Sequence, residues 1–202
     1  DETVRQAARQ EIVRRYYKAE CDYKMGNCTK ETVERIRLLM NENKLSVNDR
    51  AVVKPALEKA ETAGCAAVAL ELEGGVFVTG KSNKLMTACA SAVLNAIKTL
   101  SRIADDMLLL SPIVLSPIIG LKKDVLREDK VKLSLGDVLT ALSICAATNP
   151  IAEKAMSMLV RLRDCEAHSS CILPEADQSV MRKLGIRLTC EPEYGSKDLY
   201  GF

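Results

Sequence analysis

Residues 75–82 carry the most chemically suggestive pattern in the chain. They read Gly-Val-Phe-Val-Thr-Gly-Lys-Ser, which matches the phosphate-loop pattern G-x-x-x-x-G-K-S letter for letter. A phosphate loop needs a turn of small residues between its glycines, so that backbone N–H groups can curl around phosphate. The intervening Val-Phe-Val-Thr residues favour a strand instead. We therefore interpret 75–82 as the return strand of a β-hairpin, without a nucleotide site.

The loop at the end of this strand could still bind an anion without forming a phosphate loop. It lies between the predicted strand and a long apolar helix. Free N–H groups at a helix start, the helix dipole and a lysine can together hold an anion. The predicted ligand-binding residues for a small anionic ligand are Thr79, Gly80, Lys81, Ser82 and Asn83. The alternative is that Ser82 or Asn83 simply caps the helix.

The chain has one histidine, His168, in the stretch Cys-Glu-Ala-His-Ser-Ser-Cys at 165–171. This C-x-x-H-x-x-C spacing suggests metal ligands, but on a strand the residues three apart point to opposite faces. We therefore predict neither a metal nor a cofactor here. Instead, we place His168 and Ser169 in the candidate site, with the histidine as an acid or base. A hydrogen-bonded structural histidine and a Cys–His nucleophilic pair both remain open alternatives.

Composition narrows the class of protein. Of the 202 residues, 48% are hydrophobic, 28% are charged and 3% are aromatic, and the net charge is +2. These values predict a globular protein that does not bind nucleic acid by broad electrostatics or by base stacking. No apolar run is long enough to span a membrane. The eight cysteines lie mostly within apolar patterns, so we predict reduced thiols and a cytoplasmic location.

Periodicity predicts the elements that would position the site. Residues 1–45 form a helical hairpin, and residues 46–202 form an α/β domain. Gly74 and Gly75 favour the hairpin turn between strands at about 66–72 and 76–79. Further strands are predicted at 107–110, 167–173 and 186–190, with helices between them. This order predicts a mixed, mostly parallel sheet with an antiparallel hairpin edge and flanking helices.

Five stretches resemble a known bacterial family. These are 10–17 (QEIVRRYY), 79–82 with the Ala-rich helix after it, 141–144, 166–169 and 184–186. Together they resemble the C-terminal part of the uncharacterised family named domain of unknown function 1846. The resemblance implies a longer protein whose N-terminal, nucleotide-binding-like α/β domain would be a partner of this chain. It supplies no catalytic residues.

The predicted order from 66 to 190 also resembles the cytidine-deaminase-like fold. Zinc deaminases carry a His/Cys-x-Glu motif at one helix start and Pro-Cys-x-x-Cys at another. Here those helix starts read Ala-Cys-Ala-Ser at 88–91 and Ser-Pro-Ile-Val at 111–114, which implies a version of the fold without zinc.

Two functions are consistent with these observations. In the first, the chain is a domain of a larger bacterial cytoplasmic protein that binds an anionic small molecule at 80–83. In the second, it is a non-catalytic module for domain packing and homo-oligomerisation, with the helical hairpin as its arm. Whether the chain is an enzyme is left open by the sequence.

Overall fold

One mixed sheet organises the computed structural model, which describes residues 2–195. Its described strands follow the order β2-β1-β3-β4. β1 is antiparallel to both β2 and β3, whereas β3 and β4 are parallel. β2 and β4 are therefore the two edge strands. The strands are β1 (Ala67–Leu72), β2 (Val76–Lys81), β3 (Glu166–Ser169) and β4 (Arg187–Cys190).

Helices cover both faces of this sheet, and several begin where the sequence predicts. Ser134 and Asp137 form a capping box at the start of α6, and the Asn149 side chain caps α7 just before Pro150. The described helices are α1 (Glu2–Lys24), α2 (Lys30–Glu42), α3 (Val53–Ala63), α4 (Ala88–Ser101), α5 (Pro112–Gly120), α6 (Leu135–Ala146), α7 (Pro150–Ser157) and α8 (Glu175–Lys183).

The α/β class and the flanking helices are confirmed, but the prediction of a mostly parallel sheet is wrong. The predicted strand at 107–110 is an irregular segment, in which Leu108 is 75% exposed and Leu109 and Leu110 are buried. In the sheet, β3 is the neighbour of β1 and runs antiparallel to it. The cytidine-deaminase-like topology, which requires a strand between α4 and α5, is not confirmed.

The strand register assigns side chains to the two faces of the sheet. Gly80, Val68 and Ser169 form one row across β2, β1 and β3, and they point towards α4. Thr79, Ala69, His168 and Thr189 form the next row. Because side chains alternate along a strand, this second row faces α1 and the start of α3.

The helical hairpin of α1 and α2 is present, as predicted, and it packs on a small core of its own. Val13 and Tyr17 on α1 meet Met40 on α2, together with Leu45 and Val53. α1 also contacts β4, so the hairpin is joined to the sheet. The proposed division into 1–45 and 46–202 stays a prediction.

Gly80 lies inside the edge strand β2, where the backbone of α4 leaves no room for a side chain. A Cβ atom at this position would lie 2.1 Å from the backbone nitrogen of Ala92 and 2.5 Å from its Cα. The backbone of α4 therefore lies directly on β2 at this point, and no side chain fits between them. The glycine that completes the phosphate-loop pattern is required by helix–strand packing.

We expect Gly80→Ala to lower the free energy of unfolding by at least about 2 kcal/mol, because α4 must move away from β2. Gly136→Ala is the matched control, since its added Cβ would meet only Ser134 Oγ at 3.7 Å and Val180 Cγ2 at 3.8 Å. Urea unfolding of both variants checks this prediction. Equal stability of the two variants would contradict it.

Candidate functional site

A cavity of about 530 Å³ lies along the open edge of β2. It lies between α3 and α4, because Lys59 on α3 and Lys98 on α4 both line it. Thr79, Gly80 and Lys81 contribute the strand itself. Its remaining lining is mostly apolar and includes Leu85, Met86, Leu94, Met107, Leu108, Leu109, Leu110, Pro112 and Leu115.

The charge of this cavity is of one sign. Lys59, Lys81 and Lys98 line it, and among the residues that the structure describes no Asp or Glu does so. Lys98 Nζ donates to the main-chain oxygen of Asp105 at 2.8 Å. Within residues 2–195, none of the three lysines forms an ion pair with a carboxylate. The cavity therefore offers positive charge beside apolar walls.

A second cavity of about 610 Å³ lies between α1 and α8, beside β4, and its cations are ion-paired. Its cations Arg14, Arg15, Lys18, Arg182 and Arg187 all form ion pairs with carboxylates. Each of these cations is thus partly neutralised by a neighbouring carboxylate, unlike the lysines beside β2 in the described part of the chain. The cavity beside β2 is therefore the better candidate for an anion.

The loop that follows β2 is held by hydrogen bonds from its backbone to the Asn83 side chain, and it does not lead directly into a helix. Asn83 Oδ1 accepts from the backbone N–H groups of Leu85 at 2.8 Å and Met86 at 2.9 Å. α4 begins only at Ala88, and Thr87 supplies its N-cap. The alternative of capping by Ser82 or Asn83 is therefore wrong, and so is the placement of the loop at the helix start.

Ser82 differs from its neighbours in what it contacts. Its hydroxyl accepts from Lys132 Nζ at 2.8 Å, and it does not line the cavity beside β2. Thr79, Gly80, Lys81 and Asn83 do line that cavity. Four of the five loop residues predicted from the sequence are thus brought together, and Lys59 and Lys98 join them from the neighbouring helices.

His168 lies elsewhere, in a buried polar network beneath α1. It is fully buried, and its ring packs on Tyr17 with a centroid distance of 4.8 Å. Its Nε2 lies 3.0 Å from Glu191 Oε1, and its Nδ1 lies 2.7 Å from Thr189 Oγ1. The Tyr17 hydroxyl donates to the same Glu191 oxygen at 3.2 Å.

These contacts fix the protonation of His168. Burial lowers the pKa of the imidazole from its usual value, despite the opposing effect of Glu191. The hydrogen bond from His168 lowers the pKa of the Glu191 carboxyl, so that carboxylate accepts only. Nε2 of the neutral ring therefore carries the hydrogen. The single Thr189 hydroxyl proton then goes to Nδ1 at 2.7 Å in preference to the Ala167 carbonyl oxygen at 3.3 Å.

Arg50 anchors the other end of this network, and no sequence pattern singled it out. Its side chain is 1% exposed, and burial lowers its pKa while Glu166 opposes that change. Nε donates to Thr189 Oγ1 at 2.8 Å, and Nη2 donates to the carbonyl oxygens of Ala167 at 2.8 Å and Arg187 at 2.6 Å. Nη1 pairs with Glu166, which also pairs with Arg14 on α1.

The predicted site residues therefore fall into two groups. Thr79 and His168 share a row of the sheet, but β1 lies between their strands. Ser169 points to the α4 face, opposite to His168, and its Oγ accepts from the Cys171 N–H at 3.3 Å. A shared site of Lys81 with His168 and Ser169 lacks support from this arrangement, because His168 is sealed beneath Tyr17.

The chain belongs to a family of unknown function. The sequence model described as domain of unknown function DUF1846, C-terminal, matches residues 48–200, and the N-terminal model of the same family matches residues 1–44. In the part of the chain that the structure describes, no helix is long and apolar enough to cross a membrane. All eight cysteines are free thiols.

Similar proteins come from clostridia. A UPF0371 protein of Clostridium botulinum (strain Alaska E43 / Type E3) is 48% identical over 208 residues, covering 99% of this chain and 41% of that protein. A UPF0371 protein of Clostridioides difficile (strain 630) is 49% identical over 210 residues, covering 99% and 42%. The chain thus spans about two fifths of the length of these relatives.

These matches correct two expectations. A resemblance to the C-terminal part of the family alone is too narrow, because the N-terminal model matches residues 1–44 as well. The expected partner, a separate N-terminal nucleotide-binding-like domain, is also wrong. The region that the N-terminal model matches here is the helical hairpin of α1 and α2.

The pH dependence of stability reports on His168. Because its folded-state pKa is lowered below 6.5, its contribution is fully present only about one pH unit or more above that value. It is lost as the pH falls towards the folded pKa, since the unfolded chain then binds the proton more tightly. We expect the free energy of unfolding to fall between about pH 7.5 and pH 5.5.

His168→Gln is the control for this pH experiment, because the chain has no other histidine. The slope between those pH values should disappear in the variant, whatever its overall stability. Glu191 adds a separate loss only below 4.5, since its folded pKa is lowered. Persistence of the same slope in His168→Gln would contradict the assignment.

We expect Arg50→Met to destabilise the fold by about 3 kcal/mol, because Glu166 Oε2 and the carbonyl oxygens of Ala167 and Arg187 lose the donor that Arg50 supplies. The control is Arg182→Ala, which breaks only an ion pair with Glu175 whose side chains are 59% and 75% exposed. That change should cost less than about 1 kcal/mol. Chemical denaturation of the two variants measures the difference, and a stable Arg50→Met would contradict the importance of the network.

Proposed function

We propose that this domain binds an anionic ligand in the cavity between β2, α3 and α4. The observation that carries the proposal is the set of three cavity lysines, with no carboxylate among the lining residues within 2–195. Lys59 and Lys98 are partly buried beside apolar walls, whereas Lys81 is exposed at the rim. A carboxylate or phosphate in this position would be attracted by all three ammonium groups.

The apolar walls define the rest of the ligand. Leu85, Leu94 and Leu115 line the cavity together with Met107 and Leu108, which are 40% and 75% exposed. Covering these side chains would remove apolar surface from water and add to the affinity. The cavity thus suits a ligand with an acidic end and an apolar body. The alternative function as a packing and oligomerisation module stays a prediction.

Adipate, which joins two carboxylates by an apolar chain, and inorganic pyrophosphate are suitable probes. In isothermal titration at low salt, we expect Lys81→Ala to weaken binding of such a probe about fivefold to tenfold, since one charged contact is lost. Lys154→Ala is the matched control, because this exposed lysine lies on α7, outside the cavity lining. It should leave the affinity unchanged.

Two results would contradict the proposal. One is that neither probe binds the wild-type chain. The other is that a probe binds, while Lys59→Ala, Lys81→Ala and Lys98→Ala each leave its affinity equal to that of Lys154→Ala. Binding should also weaken as salt is added, because an attraction between exposed charges is screened.

A further inference from the structure

The backbone of β2 forms one wall of the same cavity, and part of it is unpaired. The Ser82 N–H donates to the Ala66 carbonyl oxygen at 2.8 Å. Hydrogen-bonding residues alternate along an antiparallel pair, so Gly80 and Val78 also face β1. The N–H and C=O groups of Thr79 and Lys81 therefore point away from the sheet, towards the cavity.

One of these outward groups has an internal partner. Asn95 Nδ2 on α4 donates to the Thr79 carbonyl oxygen at 2.9 Å. Among residues 2–195, no side chain accepts from the N–H of Thr79 or Lys81, and none donates to the Lys81 carbonyl oxygen. Such a row of unpaired groups is the template on which an extended segment adds as a strand.

The cavity also has walls on both sides of this edge. A strand placed beside β2 would direct alternate side chains to the two faces of the sheet. On one face they would meet Lys59 and the side chain of Lys81, and on the other face Leu94 and Lys98. The geometry therefore offers main-chain hydrogen bonds and side-chain contacts to the same extended ligand.

The positive charge of Lys59, Lys81 and Lys98 favours an acidic ligand over a second copy of this chain. A second copy of this chain, paired through its own β2, would bring six lysines to one interface, and the described lining of neither cavity contributes a carboxylate. Like charges oppose this pairing, and lysines on an edge strand are a known means of preventing it. An extended segment with carboxylates is attracted by the same groups.

We propose that the ligand of this cavity is an extended acidic peptide, which adds to β2 as a further strand and places its carboxylates against Lys59, Lys81 and Lys98. This inference rests on the proposed function, since it takes the same cavity as the anion site. It adds that recognition includes the outward N–H groups of Thr79 and Lys81. The peptide's N–H and C=O groups would pair with the outward backbone groups of β2.

The test uses the full chain and a pool of octapeptides. Their first six residues alternate between apolar residues and Thr or Ser, and their last two are Glu with a free carboxyl terminus. A matched pool carries N-methyl groups on alternate residues, in both phases, and keeps every charge. We expect the first pool to shift the amide NMR signals of Thr79 and Lys81. We expect one of the two N-methylated phases, the one whose methyl groups face β2, to bind at least tenfold more weakly than the unmethylated pool.

Variants of the protein test the same hydrogen bonds from the other side. Thr79→Pro removes the outward N–H but leaves the carbonyl oxygen that Asn95 contacts. Thr79→Val is the matched control and keeps the N–H. We expect a loss of at least tenfold in peptide affinity for Thr79→Pro only. The N-methylated pools give the same information on the wild-type chain if Thr79→Pro fails to fold.

The possible results separate the two proposals. If the peptide pool and the N-methylated pools bind equally well, strand addition is overturned, while the anion site stands. If adipate or pyrophosphate binds at the lysines and the peptide pool does not, the peptide is again overturned and the proposed function stands. If neither peptides nor small anions bind, both are overturned.

Discussion

The buried guanidinium of Arg50 is the interaction on which the rest of the structure depends. A charge withdrawn from water is costly unless nearly all of its hydrogen bonds are replaced. Glu166, Thr189 and the carbonyl oxygens of Ala167 and Arg187 replace them here. These acceptors lie on β3 and β4, so the arginine fixes the parallel pair of strands relative to the start of α3.

The same network decides what His168 can do. Arg50 donates to Thr189, Thr189 donates to His168, and His168 donates to Glu191, which also accepts from Tyr17 on α1. Every polar atom of the imidazole is thus occupied, and Tyr17 covers the ring. A histidine held in this way joins the helical hairpin to the sheet. It has no free nitrogen with which to act as an acid or base on a ligand.

At the opposite edge of the sheet, formed by β2, charged side chains lack ion-pair partners among the described residues. α4 approaches β2 so closely at Gly80 that no side chain fits there, while α3 lies on the other face. Between these helices, the edge of β2 stays open and its lysines lack carboxylate partners among the described residues. We place ligand binding beside β2 because the lysines there lack carboxylate partners within residues 2–195, whereas the polar groups of the Arg50–His168 network at β3 and β4 are already hydrogen-bonded.

Sequence alone determined the features that depend on neighbours along the chain. These include the helical hairpin, the β1–β2 turn at Gly74 and Gly75, the caps of α6 and α7, and the exclusion of a phosphate loop. The family resemblance was also visible in short stretches such as 166–169. The number and order of the strands could not be predicted in the same way. The apolar run at 107–110 has the composition of a buried strand, but packing against distant residues decides that it is irregular and that Leu108 is exposed.

Only the tertiary structure decided which residues share a site. Lys59 and Lys98 have no local pattern that relates them to Lys81, and they meet it because α3 and α4 lie on opposite faces of one edge strand. Arg50 likewise resembles any surface arginine until β3 and β4 surround it with acceptors. Local periodicity specifies the elements, whereas the convergence of charges from separate elements depends on how those elements pack.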